Sequence, residues 1–143
     1  MEVENFLSSS YNGSKKFNQH DVPAANASGF GAAADDYMER GIDLNEQLIR
    51  NKPATFFMKM NGSSMINAGI YDGDILIVDR SIKPVNGKIV IAVIDGEMLI
   101  RRYEKTMSQL RLIPETAKLS AIDVGEFMDF KIWGVVAYII RGV

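Results

Sequence analysis

Ile89-Val90-Ile91-Ala92-Val93-Ile94, then Asp95-Gly96, then Glu97-Met98-Leu99-Ile100-Arg101-Arg102-Tyr103 is the stretch that decides the fold. Two strand-like runs meet at an Asp-Gly pair, whose residues tolerate the positive φ angles of a tight two-residue hairpin turn. The same texture continues on both sides. Downstream, Gln109–Ile113 and Phe127–Arg141 read as strands, with Gly134 a bend or bulge in the second. Upstream, Pro84-Val85-Asn86-Gly87 and Tyr71-Asp72-Gly73-Asp74 are turns around the buried-looking strand Ile75-Leu76-Ile77-Val78. Thr55–Met60 is a further strand, ended by Asn61-Gly62.

One short helix precedes them. Asp43-Leu44-Asn45-Glu46 reads as a capping box, Leu44, Leu48 and Ile49 supply an apolar face, and Lys52-Pro53 stops the helix. Residues 1–34 differ: more than half are Ser, Asn, Gly or Ala, and their apolar residues follow neither helical nor strand spacing. The expectation is a flexible N-terminal arm over 1–34 and a β domain over 35–143. The fold class is mainly β, with curved, packed antiparallel sheets and one short helix.

Composition removes several function classes. With 143 residues and 47% apolar side chains, the chain is the size of one domain with a real core. Sixteen basic against eighteen acidic residues argue against a general nucleic-acid binder, and no sequence-specific DNA contact is expected. The absence of cysteine excludes thiolate metal sites and cysteine nucleophiles, and a single histidine excludes a multi-imidazole zinc site. No cofactor is expected. The apolar run Ile132–Ile140 is about half of a membrane span, and the acidic start lacks a signal peptide's apolar core, so the location expected is cytoplasmic, with no membrane partner.

Few residues offer chemistry. His20 lies in the polar arm, where a lone histidine is far more often solvated than catalytic. Asp72, Asp74 and Asp79 match no cation-binding loop and read as turn acids. The pairs Lys15-Lys16 and Arg101-Arg102 have no interleaved aromatics and read as solvated faces. What remains is Gly62-Ser63-Ser64-Met65: a serine at a Gly-containing turn directly after a strand can sit near backbone N–H groups, as a nucleophile needs.

Taken together, Gly62-Ser63-Ser64-Met65, Gly69-Ile70, Asp72-Gly73-Asp74 leading into Ile75–Asp79, and the 89–97 hairpin resemble the LexA/UmuD family of Ser/Lys-dyad self-cleaving peptidases. Ala34-Asp35-Asp36-Tyr37 and Ile42-Asp43-Leu44-Asn45 look like its UmuD branch, and the likeness runs over roughly residues 28–141. The resemblance implies a homodimer that removes its own arm when a RecA filament stimulates it. The trimmed form would then join a UmuC-type translesion polymerase in the SOS response. It implies Ser64 as nucleophile and Ser28-Gly29 as the bond cut.

One departure is decisive. Where the family carries its general-base lysine, this chain reads Ile100-Arg101-Arg102, so Arg101 stands at the base position. Bringing lysine from about 10.4 to near 7 costs about 4 kcal/mol of desolvation, which buried lysines reach. Arginine, starting several units higher, would need about 9 kcal/mol. It keeps its proton in proteins and makes a poor base. Lys105 is about 13 Å further along the strand, too far to substitute. The expectation is impaired self-cleavage, with a non-cleaving binding module or a repressor-type regulatory domain as the alternative. Smaller departures, Ser63 and Gly31-Ala32-Ala33, bear on how the arm docks.

Overall fold

A computed structural model describes residues 2–5 and 41–143. Eight strands form one antiparallel sheet: β1 (Val3–Asn5), β2 (Thr55–Met60), β3 (Ile75–Asp79), β4 (Ile89–Ile94), β5 (Glu97–Lys105), β6 (Leu110–Ile113), β7 (Ile122–Asp123) and β8 (Phe130–Ile140). Their order across the sheet is β1-β2-β3-β8-β4-β5-β6-β7. The sheet curls, and the start of β1 reaches over to β5 although four strands separate them in that order.

The hairpin forms as its residues dictate. Asp95 (φ 50°) and Gly96 (φ 83°) both take positive φ, the backbone of a two-residue turn that matches strand twist. This pairs Ile94 with Glu97 and, further along, Val90 with Arg101. Side chains alternate across the pleat, so β4 contributes to two apolar clusters, one on each face. Ile91 joins Val3, Met58, Met60, Met65, Ile70, Leu76, Val78 and Ile100. Val90, Ala92 and Ile94 pack with Tyr103, Leu112 and Val135.

Gly134 is the bulge expected of it. Ile91 pairs with Gly134 but Ala92 with Ile132, leaving Trp133 as the extra residue. The Arg80 Nε–H donates to the Trp133 carbonyl at 2.9 Å, and its guanidinium lies 4.5 Å from the indole centroid. A Cβ at position 134 would come within 2.7 Å of Val78 Cγ1, so the close approach of β3 and β8 requires glycine here.

Helix α1 (Leu44–Leu48) is capped by Asp43, whose carboxylate accepts the Asn45 N–H at 3.0 Å. Its apolar face is narrower than expected: Ile49 is buried, but Leu44 is exposed. The last strand begins at Phe130 rather than Phe127, and Phe127 is fully exposed. The largest departure is β1. Residues 2–5 were expected to lack regular structure, yet Val3–Asn5 pair with Met60–Met58 of β2, and Val3 is completely buried. Three residues are too short a run for alternation to announce a strand, and its partner lies far along the chain. Burying Val3 contributes about 1.5–3 kcal/mol, enough to hold so short an edge strand. His20, Lys15, Lys16, Ser28 and Gly29 lie outside the described residues. Among the described residues, no helix is long and apolar enough to cross a membrane.

Candidate active site

Ser64 sits on the turn that follows β2. Gly62 takes φ 95°, turning the chain as β2 ends, and its N–H donates to Asp72 Oδ1 at 2.7 Å. The Gly73 N–H donates to the Met60 carbonyl at 2.8 Å, and the Met60 N–H to the Asp74 carbonyl at 2.9 Å. The Asp-Gly-Asp turn thus braces the Ser64 turn. Asp74 takes both Nε and Nη2 of Arg141 at 2.7 Å and accepts the Tyr71 N–H at 2.8 Å. The Arg141 guanidinium, bonded to Asp74, holds that carboxyl below its ordinary value despite burial. Asp79 accepts from the Ser81 N–H and hydroxyl. Each of the three acids therefore has a partner; Asp72 and Asp74 lie at the turn as expected, whereas Asp79 is the last residue of β3. Among the described residues no acidic or histidine cluster fit to hold a metal occurs.

Ser64 is only 4% exposed, and Met65 beside it is fully buried. On the far side of the turn, the Glu115 N–H donates to the Ser64 carbonyl at 2.9 Å, and the Asn67 N–H donates to the Glu115 carbonyl at 2.8 Å. The Glu115 carboxylate then accepts Arg102 Nε at 2.5 Å. One residue so ties the serine turn to β5, next to position 101. Met65 and Ile100, the neighbours of Ser64 and Arg101, belong to the same apolar cluster.

Arg101 is not on a solvated face. It is 5% exposed, because β5 turns this residue inward; its neighbour Arg102 is the one that reaches Glu115 and the Gly87 carbonyl. A run of two arginines gives no periodicity from which to tell which one points inside, so composition alone favoured solvent for both. A buried guanidinium needs a counter-charge. Arg101 Nη1 donates to Glu2 Oε2 at 2.5 Å and to the Ile100 carbonyl at 2.7 Å. The same Glu2 oxygen accepts the Ile100 N–H at 3.1 Å. Glu2 was not foreseen; nothing in a polar N-terminal stretch marks one acid as an ion-pair partner.

Two buried side-chain polar atoms among the described residues have no hydrogen-bond partner: Ser64 Oγ and Arg101 Nε. Ser64 and Arg101 are the two residues that sequence reading assigned to chemistry. Among the described residues the serine hydroxyl has no acceptor for its proton. Lys105 ends β5, exposed, with its backbone N–H and carbonyl bonded to the Asn86 side chain.

Comparison with known proteins gives this arrangement a context. Residues 22–137 match the family model described as Peptidase S24-like. The chain is 42% identical over 118 residues to the protein ImpA of Salmonella typhimurium, covering 79% of this chain and 77% of ImpA. It is 45% identical over 76 residues to the protein SamA of Salmonella typhimurium, covering 53% of this chain and 54% of SamA. It is 36% identical over 115 residues to LexA repressor 1 of Xanthomonas campestris pv. campestris, covering 80% of this chain and 57% of the repressor.

Proposed function

The chain belongs to the Peptidase S24-like family, and from that premise we propose that it is an SOS-response mutagenesis protein of the UmuD branch whose self-cleavage is blocked at position 101. Ser64 is the nucleophile position and Arg101 the base position. The bond between Ser28 and Gly29 is the one that a competent relative would cut. The observation that carries this reading is a buried arginine at position 101 together with a buried Ser64 hydroxyl that has no hydrogen-bond partner among the described residues. Arginine keeps its charge in proteins and makes a poor base toward a serine hydroxyl.

In this reading the protein works uncut, as a homodimer that binds a RecA filament or a UmuC-type translesion polymerase without trimming its arm. The similarity to ImpA and SamA over most or about half of the chain supports a mutagenesis protein. The likeness to LexA repressor 1 supports shared peptidase-domain architecture. The test is to incubate the purified protein with RecA filaments on single-stranded DNA and follow both co-sedimentation and intact mass. Co-sedimentation at full mass is the expected result. Rapid loss of residues 1–28 would contradict it.

A further inference from the structure

Residues 2–5 do more than extend the sheet edge. Glu2 bridges two strands that are not neighbours in the sheet. Its N–H donates to the Met98 carbonyl of β5 at 3.2 Å, and its carbonyl accepts the Asn61 N–H beyond the end of β2 at 2.6 Å. Its carboxylate takes the Ile100 N–H and Arg101 Nη1. Val3 then enters the cluster that contains Met65 and Ile100, while Glu4 lies opposite Lys59 in register. With this segment seated, Ser64 and Arg101 are 4% and 5% exposed.

We propose that the space over Arg101, between the end of β2 and β5, is a strand-binding site that reads a carboxylate, and that its occupant is the chain's own segment Glu2–Asn5. The site has the parts such recognition needs: a free edge of β2 for main-chain pairing, an apolar socket for Val3, and a fixed guanidinium for the acid that precedes it. Arginine suits the task that it cannot perform as a base, because its charge is permanent and its N–H groups are set in a rigid fork. The seated segment occupies the Arg101 guanidinium, so any other carboxylate that binds there must displace residues 2–5. The site that cuts peptide in competent relatives here holds one.

Hydrogen exchange on the full chain tests this without reference to cleavage, RecA or polymerase, so its failure and that of the functional reading above are separate events. The Ile100 amide reports the carboxylate contact, and the Asn61 amide reports whether the segment is seated. Glu2→Ala is expected to speed exchange at both by roughly tenfold or more, the scale on which a buried charge losing its partner acts. Arg101→Met is expected to do the same, and the double variant to go little further than either, since both remove one interaction. Amides of β3, β4 and β8 report that the fold persists. Acceleration at Ile100 alone would mean that one hydrogen bond was lost with the segment still seated, and would overturn the proposal. So would additive effects in the double variant. Protection of Asn61 that rises with protein concentration would place a second copy's segment in the site and also overturn it.

Discussion

Asp72 Oδ1 accepts the Gly62 N–H at 2.7 Å, across ten residues of chain, and this bond fixes the turn that presents Ser64. Two sequence motifs that look independent are thus one structural unit. The contact is solvent-exposed, so its worth is at the lower end for a hydrogen bond to a charged group, about 1 kcal/mol. Asp72→Ala should lower the unfolding free energy by that amount, read as a lower denaturant midpoint with an unchanged slope. Asp72→Asn, which keeps an acceptor, should lose less than half of it.

Asp74 predicts how the fold responds to acid. Hydrogen bonding to Arg141 lowers its carboxyl below the usual 3.8 in the folded chain. A lowered folded value means the pair's contribution is fully present above the ordinary carboxylate range and is lost as pH falls through the folded value. Stability should therefore hold from neutral pH down to about 4 and then decline. Asp74→Asn should cost about 2 kcal/mol at pH 7 and leave a shallower acid limb, read by urea melts at a series of pH values.

Gly134 is required by contact as well as by the bulge. An added methyl meets Val78 Cγ1 at 2.7 Å, inside any normal carbon–carbon distance. Gly134→Ala should cost about 1–3 kcal/mol through overpacking. A thermal melt should show it, and Val78→Ala in the same chain should relieve part of the clash.

Much of the body was legible from local signals. The Asp95-Gly96 turn and the limits of Thr55–Met60 follow from turn chemistry and apolar patterning, which act over a few residues. Gly134 was legible because glycine inside a strand pattern marks a bulge. What escaped was long-range. Val3–Asn5 becomes a strand only because β2 offers an edge and the core offers a socket. The acid that pairs with Arg101 is Glu2, 99 residues away. Ser64 and Arg101 were legible as candidates only through the order of motifs, since a Gly-Ser-Ser turn and an arginine pair carry little signal alone.

Position 101 is proposed to be what withholds cleavage. The most direct measurement is the intact mass of the Arg101→Lys protein after incubation at alkaline pH, beside the unmodified chain. A lysine there can lose its proton and take one from Ser64, whereas arginine does not. The unmodified protein is expected to stay at 143 residues while Arg101→Lys loses residues 1–28, leaving 143 − 28 = 115. Adding Ser64→Ala should return the variant to full length. Ready trimming of the unmodified protein, or a folded Arg101→Lys variant that stays intact, would contradict it.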